Sequence, residues 1–398
     1  MLNEIPAGWH PTKLGDITEL KTGGTPSRKE DSFWGGDINW MSSGEVWKKR
    51  VFDTEEKITE AALSGSAAKI LPKGSVMIAL NGQGRTRGAA AILERDMTCN
   101  QSLAAVVPSA KHNNYFMLYF IESQYQNLRN ITGDNARNGL NLGLLKSYEV
   151  LLPPLTEQHR IAEILSSVDA SIQATQAVIE QAERVKRGLM EELLTGGLGN
   201  EAIERGEVPE GWAASTFGDE IDFKGGNQPP KSTFVYEPAE GYVRLLQIRD
   251  FENDDKPAYI PVNATKVRCS EDDILIARYG ASLGRICRGK EGAYNVALVK
   301  LILSENLTSD YAFYWLNSNH FQNFLARVGS RSAQAGFNKS DLAPLSLVVP
   351  PLEEQKHSSE ILASLDGCIT KQKTIIEQLA RTKRGLMDDL LTGKVRTV

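Results

Sequence analysis

The sequence predicts an α+β protein in which two mixed α/β domains are separated by two long helices that pair as an intramolecular antiparallel coiled coil, forming a pseudo-two-fold repeat. Three observations carry the prediction. A block of about 44 residues occurs twice, about 197 positions apart; each copy opens on a double proline; and each then keeps a residue of one apolar stripe every three or four positions. With 398 residues, 41% hydrophobic and 24% charged, the chain is long enough for two or three domains with buried cores.

The elements follow in order. The first domain, residues 1–150, opens on Pro6-Ala7-Gly8-Trp9 and continues through Gly15-Asp16, a strand-like stretch and Gly23-Gly24. The second, residues 200–347, repeats the plan with Pro209-Glu210-Gly211-Trp212, Gly218-Asp219 and Gly225-Gly226. Val76-Met77-Ile78-Ala79-Leu80 aligns with Ile274-Leu275-Ile276-Ala277-Arg278, two buried-strand patterns that each enter a glycine-rich loop.

Between and after the domains lie the helical blocks, residues 151–199 and 348–398. Pro153-Pro154-Leu155-Thr156-Glu157-Gln158 recurs as Pro350-Pro351-Leu352-Glu353-Glu354-Gln355, and proline is well placed just before a helix. Acidic residues at the start, basic residues towards the end, and Gly196 or Gly393 after the last apolar pair suit the helix dipole and a glycine cap. One seam runs Ile161, Leu165, Val168, Ile172, Thr175, Ile179, Ala182, Lys186, Leu189, Leu193; the other runs Ser358, Leu362, Leu365, Ile369, Gln372, Ile376, Leu379, Lys383, Leu386, Leu390. Steps of four and three give the 3.5-residue period of a coiled coil.

Each seam needs a partner, and the other helix of the same chain is favoured by tethering. Thr175 and Gln372, and Lys186 and Lys383, are polar seam positions that either specify register or, for the lysines, snorkel at a fraying end. Related by a two-fold axis, the helices would run antiparallel with a domain at each end. A helix of about 40 residues spans about 60 Å, the length of a spacer.

Several function classes fall away. No apolar run approaches the roughly 18 to 20 residues of a membrane span and the start lacks a signal-peptide pattern, so a cytoplasmic protein is expected. Cys99, Cys269, Cys287 and Cys368 are scattered and the five histidines form no HExxH, so neither a disulfide framework nor a metal site is indicated. Gly82 to Gly88 reads GxGxxxG, one residue too long for a dinucleotide fingerprint. Gly284 to Glu291 has P-loop spacing but carries Glu291 where Ser or Thr must hold magnesium. With no nucleophile elbow, kinase set or amino-methyltransferase motif, the chain reads as non-catalytic.

The net charge of -5 counts against a protein that grips nucleic acid by itself, so the placement of cations must decide. The loops place cationic and amide side chains beside glycines: Asn81, Gln83, Arg85 and Arg87 in one half, Arg278, Tyr279, Arg285 and Arg288 in the other. Arginine can bond guanine, and Asn or Gln adenine, with two hydrogen bonds each. Lys21, Thr25, Ser27, Arg28 and Lys29 join them in the first double-glycine turn, with Lys48 and Lys49 beside Arg50 as phosphate contacts. The second half offers Lys224, Asn227, Gln228 and Lys231 in its turn, with Arg244 and Arg249 nearby. Their repeated placement in both halves supports a DNA-binding reading. The runs 135–141 and 332–338 read as turn chemistry, with Arg137 or Arg331 as further DNA contacts.

The twin Pro-Pro-Leu-x-Glu-Gln openings and the Lys-Arg-Gly-Leu-Met-x-x-Leu-Leu-Thr-Gly endings at 186–196 and 383–393 resemble the specificity subunit of type I restriction-modification systems, over essentially the whole chain. The resemblance implies two target-recognition domains, each reading one half of a split double-stranded DNA sequence. It implies that the paired helices, with Leu165, Val168, Ile172, Ile179, Leu362, Leu365, Ile369 and Ile376 in the seam, set the gap and dock two modification (methyltransferase) subunits. Restriction (translocase and nuclease) subunits would complete the assembly. No cofactor is then expected on this chain; S-adenosylmethionine, ATP and magnesium belong to the partners. The resemblance also suggests close packing at Gly188 and Gly385, the alternative being a bend. The rival readings are a coiled-coil scaffold that binds other proteins, and a nuclease or methyltransferase with an unrecognised site.

Overall fold

Two structural units make up the chain in a computed structural model: residues 1–176 with 374–398, and residues 177–373. The structure describes residues 5–82, 84–131, 139–329 and 336–397. Each unit holds one α/β domain, the beginning of the long helix that follows it and the end of the other long helix.

In the first unit the strands are β1 (His10–Lys13), β2 (Leu20–Thr22), β3 (Trp34–Met41), β4 (Arg50–Val51), β5 (Glu56–Ile58), β6 (Val76–Ala79), β7 (Ala90–Leu93), β8 (Thr98–Cys99), β9 (Leu103–Val106) and β10 (Glu149–Leu152). They form sheets of order β2-β9-β6-β7-β4, β5-β3-β8 and β1-β10. The second unit has β11 (Ala213–Thr216), β12 (Ile221–Gly225), β13 (Tyr242–Leu246), β14 (Tyr259–Pro261), β15 (Leu275–Ala277), β16 (Ile286–Cys287), β17 (Ala293–Tyr294), β18 (Leu298–Leu303) and β19 (Ser346–Val349). Its orders are β12-β18-β15-β16, β14-β13-β17 and β11-β19. The plan is the same, and in both three-stranded sheets the middle strand pairs antiparallel on one side and parallel on the other. Only β4 lacks a counterpart among the described strands.

The register confirms the aligned pair of buried strands, since Met77 faces Ala91 and Leu275 faces Cys287. It shifts the double-glycine alignment by one residue. A Cβ on Gly23 would come within 1.9 Å of the Cys99 carbonyl oxygen, and one on Gly226 within 1.9 Å of that of Asn295. Gly23 therefore corresponds to Gly226, and Gly24 to Asn227: the first two accept close backbone approach that no other residue allows.

Each domain core is closed by a helix on the larger sheet. Helix Asn114–Ser123, capped by the Asn113 side chain, buries Phe116, Met117, Phe120 and Ile121. Helix Ser309–Leu316, capped by Thr308, buries Tyr311 and Trp315. The long helices, Leu155–Thr195 and Leu352–Leu390, enter these same cores: Ile161, Leu165 and Leu390 belong to the first, Leu194 and Leu362 to the second.

The repeated motifs build the junctions. The fully buried Gln158 accepts a hydrogen bond from the Asn113 backbone N–H at 2.8 Å and donates to the Pro153 carbonyl at 2.9 Å. Gln355 accepts from the Thr308 N–H at 2.9 Å and donates to the Pro350 and Asn306 carbonyls at 2.9 and 2.7 Å. One amide thus satisfies backbone groups at the starts of two helices, which burial would otherwise leave costly. The indole of Trp9 donates to Glu157 at 3.0 Å and that of Trp212 to Glu354 at 3.2 Å.

Along the long helices, seam positions are buried or half-buried and the residues between them mostly exposed, as a 3.5-residue stripe requires. Within the first unit Lys383 pairs with Asp169 while Arg396, just past the C-terminal helix, pairs with Glu157. Within the second, Lys186 pairs with Asp366 and Lys373 with Glu183. In each case one number falls as the other rises, which is the antiparallel coiled coil read from the seam.

Candidate nucleic-acid interface

After β2, the turn led by Gly23-Gly24 exposes Thr25, Ser27, Arg28 and Lys29. It is pre-shaped. Arg28 forks onto the Glu56 carboxylate and lies 3.7 Å from the Trp34 ring centroid, and Trp34 donates its indole N–H to the Ser27 carbonyl at 3.1 Å. Those hydrogen bonds hold Glu56 below the usual carboxylate range. Thr25 donates to Gln101. Lys21 sits on the strand itself, paired with Glu19 at 3.0 Å.

A second group gathers around the loop after β6. Asn81 and Arg85 are exposed, Arg87 is half-buried, and Gln83 lies outside the described residues, as do Arg137 and Arg331. The loop is held from behind: the Tyr125 hydroxyl donates to the Arg85 carbonyl at 2.6 Å, and Arg129 donates to that of Arg87 at 3.2 Å. The Arg85 guanidinium has no partner among the described residues. It borders a cleft of about 580 Å³ with Trp47, Lys49, Glu122, Tyr125 and Arg129. Lys48 is paired with Glu45 at 2.7 Å, and Lys49 with Glu122 at 2.5 Å. Lys49 has φ 60°, the one non-glycine residue at positive φ among the described residues, a strained conformation that re-aims its side chain over the cleft. Trp47, Tyr125 and Arg129 are cleft residues that sequence reasoning did not select.

In the second unit Lys224, Asn227, Gln228 and Lys231 are exposed along the corresponding turn. Arg244 is more committed: it pairs with Asp254 at 2.6 Å and lies 3.7 Å from the buried Asp250, while Lys290 shares Asp254 at 2.7 Å. Burial pushes the Asp250 carboxyl up; hydrogen bonds from Lys290 and Arg244 push that of Asp254 down. Arg249 is exposed beside this brace. Arg278 donates to the Phe337 carbonyl at 2.8 Å beside the exposed Tyr279. Arg285 pairs with Glu252 at 2.7 Å, and Arg288 with Asp310 at 2.5 Å, over the Phe313 ring.

The cations of the two loops do not correspond residue by residue. Gly88 N–H donates to the Ala79 carbonyl as Gly284 N–H donates to that of Ala277. Ala79 N–H donates to the Ala89 carbonyl as Ala277 N–H donates to that of Arg285. Arg285 therefore stands where the first domain has Ala89, and Arg288 follows strand β16. The first loop is two residues longer, and in the turn that both loops share Arg87 stands where the second domain has Leu283. The scaffolds match; their exposed chemistry differs.

On the helices, Leu165, Leu362, Ile179 and Ile369 are buried, and Val168, Ile172, Leu365 and Ile376 are half-buried. The seam lysines do not fray. Lys186 pairs with Asp366 at 2.6 Å and lies 5.4 Å from the Tyr314 ring centroid; Lys383 pairs with Asp169 at 2.8 Å and lies 4.9 Å from that of Tyr119. Gly188 and Gly385 correct an expectation: both are exposed, and a methyl group at either would meet nothing among the described residues, so packing within the chain does not call for glycine there. Among the described residues no helix is long and apolar enough to cross a membrane.

The sequence matches the family described as the type I restriction modification DNA specificity domain twice, over residues 6–184 and 209–381, one match for each half of the repeat. It is 24% identical to the type I restriction enzyme MjaIX specificity subunit of Methanocaldococcus jannaschii over 99% of this chain and 95% of that one. The EcoR124I/EcoR124II specificity subunit of Escherichia coli is 30% identical over 39% of this chain and 40% of its own. The crystal structure of the type I restriction-modification S subunit from M. genitalium has the same fold, with a TM-score of 0.63 at 15% identity over 98% of this chain and 96% of that one. With both halves of the repeat matched and relatives aligned end to end, the chain belongs to the family of type I restriction-modification specificity subunits, the non-catalytic component of those systems.

Proposed function

We propose that each α/β domain reads one half of a bipartite, asymmetric target in double-stranded DNA, that the paired helices set the gap between the halves, and that they dock two modification (methyltransferase) subunits. Restriction subunits would join the same assembly. The observation that supports this reading is one strand plan occurring twice with non-corresponding exposed side chains: Arg85 on one loop, Tyr279 and Arg285 at different positions on the other. A common skeleton with unlike reading residues suits two different half-sites, and pseudo-two-fold repetition suits their inverse presentation on the duplex.

In the first domain, Arg85 and Asn81 are placed for base edges, and Lys29, Lys48 and Lys49 for phosphates. Arg28 would enter the groove already oriented by Trp34 and Glu56, so less side-chain freedom is lost on binding. In the second, Lys224, Asn227, Gln228, Lys231, Arg249, Arg278, Tyr279, Arg285 and Arg288 are the candidates, with Arg244 as a brace. S-adenosylmethionine, ATP and magnesium would be held by the partner subunits, and with them the chemistry of methyl transfer and cleavage.

Methylome sequencing of cells with and without this chain tests the reading. Loss of one split adenine motif is expected; an unchanged methylome would refute it and favour a scaffold without sequence preference.

A further inference from the structure

The two units carry equivalent clefts at the ends of the long helices, and only one of them is covered. In the second unit the cleft is lined by Arg187, Met190 and Thr195 on the helix and by the residues that follow helix Ser309–Leu316; in the first, by Arg384, Met387 and Thr392 and by Glu122 to Gln124 at the end of helix Asn114–Ser123. Their volumes are about 50 Å³ and about 520 Å³. This chain's own linker contributes Asn200 to the smaller one. Beyond Gly196, the short helix Asn200–Glu204 turns back over the second cleft. Asn200 bonds His320 at 3.0 Å, Ile203 is buried, and Glu204 pairs with Arg327 at 2.9 Å.

That helix lies against β19, where Val348 and Val349 are buried. At the equivalent places on β10, Leu151 and Leu152 remain half-exposed. Thr195 is buried but Thr392 is half-exposed. The segment after Gly393 takes another course: Arg396 donates to both oxygens of Glu157, at 2.8 and 2.9 Å, leaving the first cleft open. Its rim carries Lys49, Lys383 and Arg384 against Glu122 and Asp388. Arg384 has no partner among the described residues.

We propose that the open cleft of the first unit receives a short acidic helical segment of the modification subunit, one apolar side chain flanked by carboxylates, in the manner in which Asn200–Glu204 occupies its equivalent. This rests on the docking of modification subunits proposed above. The apolar residue covers Leu151 and Leu152, and a carboxylate pairs with Arg384.

Hydrogen exchange of the full chain, alone and with the modification subunit, tests it in three proteins: the wild type, Arg384→Glu, and a graft in which residues 394–398 are replaced by residues 197–207. In the wild type the subunit is expected to slow exchange in 122–124 and 384–392 at least ten-fold. Arg384→Glu is expected to abolish that protection, and the graft to show it with no partner added. A complex that forms while these segments exchange as in the free chain would overturn the inference and leave subunit docking intact. If no complex forms even with the wild type, docking itself fails, and the graft alone decides whether the cleft takes such a segment: an unprotected cleft in the graft overturns the inference.

Discussion

Lys383 reaches Asp169 across the helix pair at 2.8 Å, and the Tyr119 hydroxyl donates to the same carboxylate at 2.8 Å. The second unit repeats the arrangement with Lys186, Asp366 and Tyr314 at 2.6 and 3.0 Å. An ammonium, a carboxylate and a phenol therefore join two helices to a domain in each unit. These lysines are only 17% and 23% exposed and their carboxylates 31% and 39%, so removing a carboxylate strands a poorly solvated ammonium, and removing a lysine leaves a carboxylate only partly solvated.

Lys383→Met is accordingly expected to lower stability by about 1–3 kcal/mol, with a fall in the midpoint of urea unfolding. Lys383→Met with Asp169→Leu is expected to cost less than the sum of the singles, since neither charge is then stranded. Additive losses in a double-mutant cycle would show that the pair does not couple the helices.

Gln158 and Gln355 are the second case. Gln158→Glu keeps an acceptor for the Asn113 N–H but replaces the donor to the Pro153 carbonyl by a second acceptor. Both Gln158→Glu and Gln158→Ala are expected to destabilise by about 1–3 kcal/mol, the cost of a buried backbone group left unsatisfied. Exchange of the Asn113 amide is the specific readout: it rises in the alanine variant and stays slow in the glutamate one.

The seam was legible because one chain carries its whole period, Leu165 to Ile179 and Leu362 to Ile376 in the same steps. Strands β6 and β15 were legible as short apolar runs ending in glycine. Strands β4 and β8, two residues each, carry no pattern that separates them from loop. The double-glycine shift was not legible because Gly225 and Gly226 look alike in sequence, and only the approach of Asn295 marks which one cannot carry a side chain. The ion partners of the candidate readers, Glu56 for Arg28 and Glu122 for Lys49, lie 28 and 73 residues away, beyond any local rule. Glu122 also lies 3.5 Å from Lys383, so one carboxylate touches both the cleft and the seam.

Glu157 makes a pH prediction. Its carboxyl is held below the usual carboxylate range, first by the Arg396 hydrogen bonds and then, against burial, by the Trp9 indole and the Thr397 N–H. A depressed folded-state value means that its stabilisation is complete above the unfolded value near 4.5 and is lost as pH falls through the lower folded value. Stability is thus expected to decline below about pH 4.5, with release of residues 394–397 from Glu157 as its local cause. Glu157→Gln and Arg396→Ala should each flatten that decline in thermal melts taken from pH 6 to pH 3. An unchanged acid limb in both would place the acid-sensitive group elsewhere.

Arg85 and Arg28 differ in what they have to give up before touching DNA. The Arg85 guanidinium has no partner among the described residues, and its loop is fixed from behind by Tyr125 and Arg129. Arg28 is bonded to Glu56 and stacked on Trp34, so engaging a base or phosphate means sharing or leaving that carboxylate. Arg85→Ala is therefore expected to act on binding alone, with folding stability within about 0.5 kcal/mol of the parent. If Arg85 bonds a guanine, discrimination at one base pair of one half-site falls by about 1–3 kcal/mol. If it contacts a phosphate, all sequences weaken together and the salt dependence loses about one unit of slope. Arg28→Ala is expected to lower the melting temperature as well, because Glu56 loses its counter-ion and Trp34 its cover. Binding titrations at two salt concentrations, on targets altered in either half, separate these outcomes. Equal effects of Arg85→Ala on both half-sites would remove that loop from the reading surface, because Arg85 belongs to the first domain alone and Ala89, not Arg85, holds the place of Arg285.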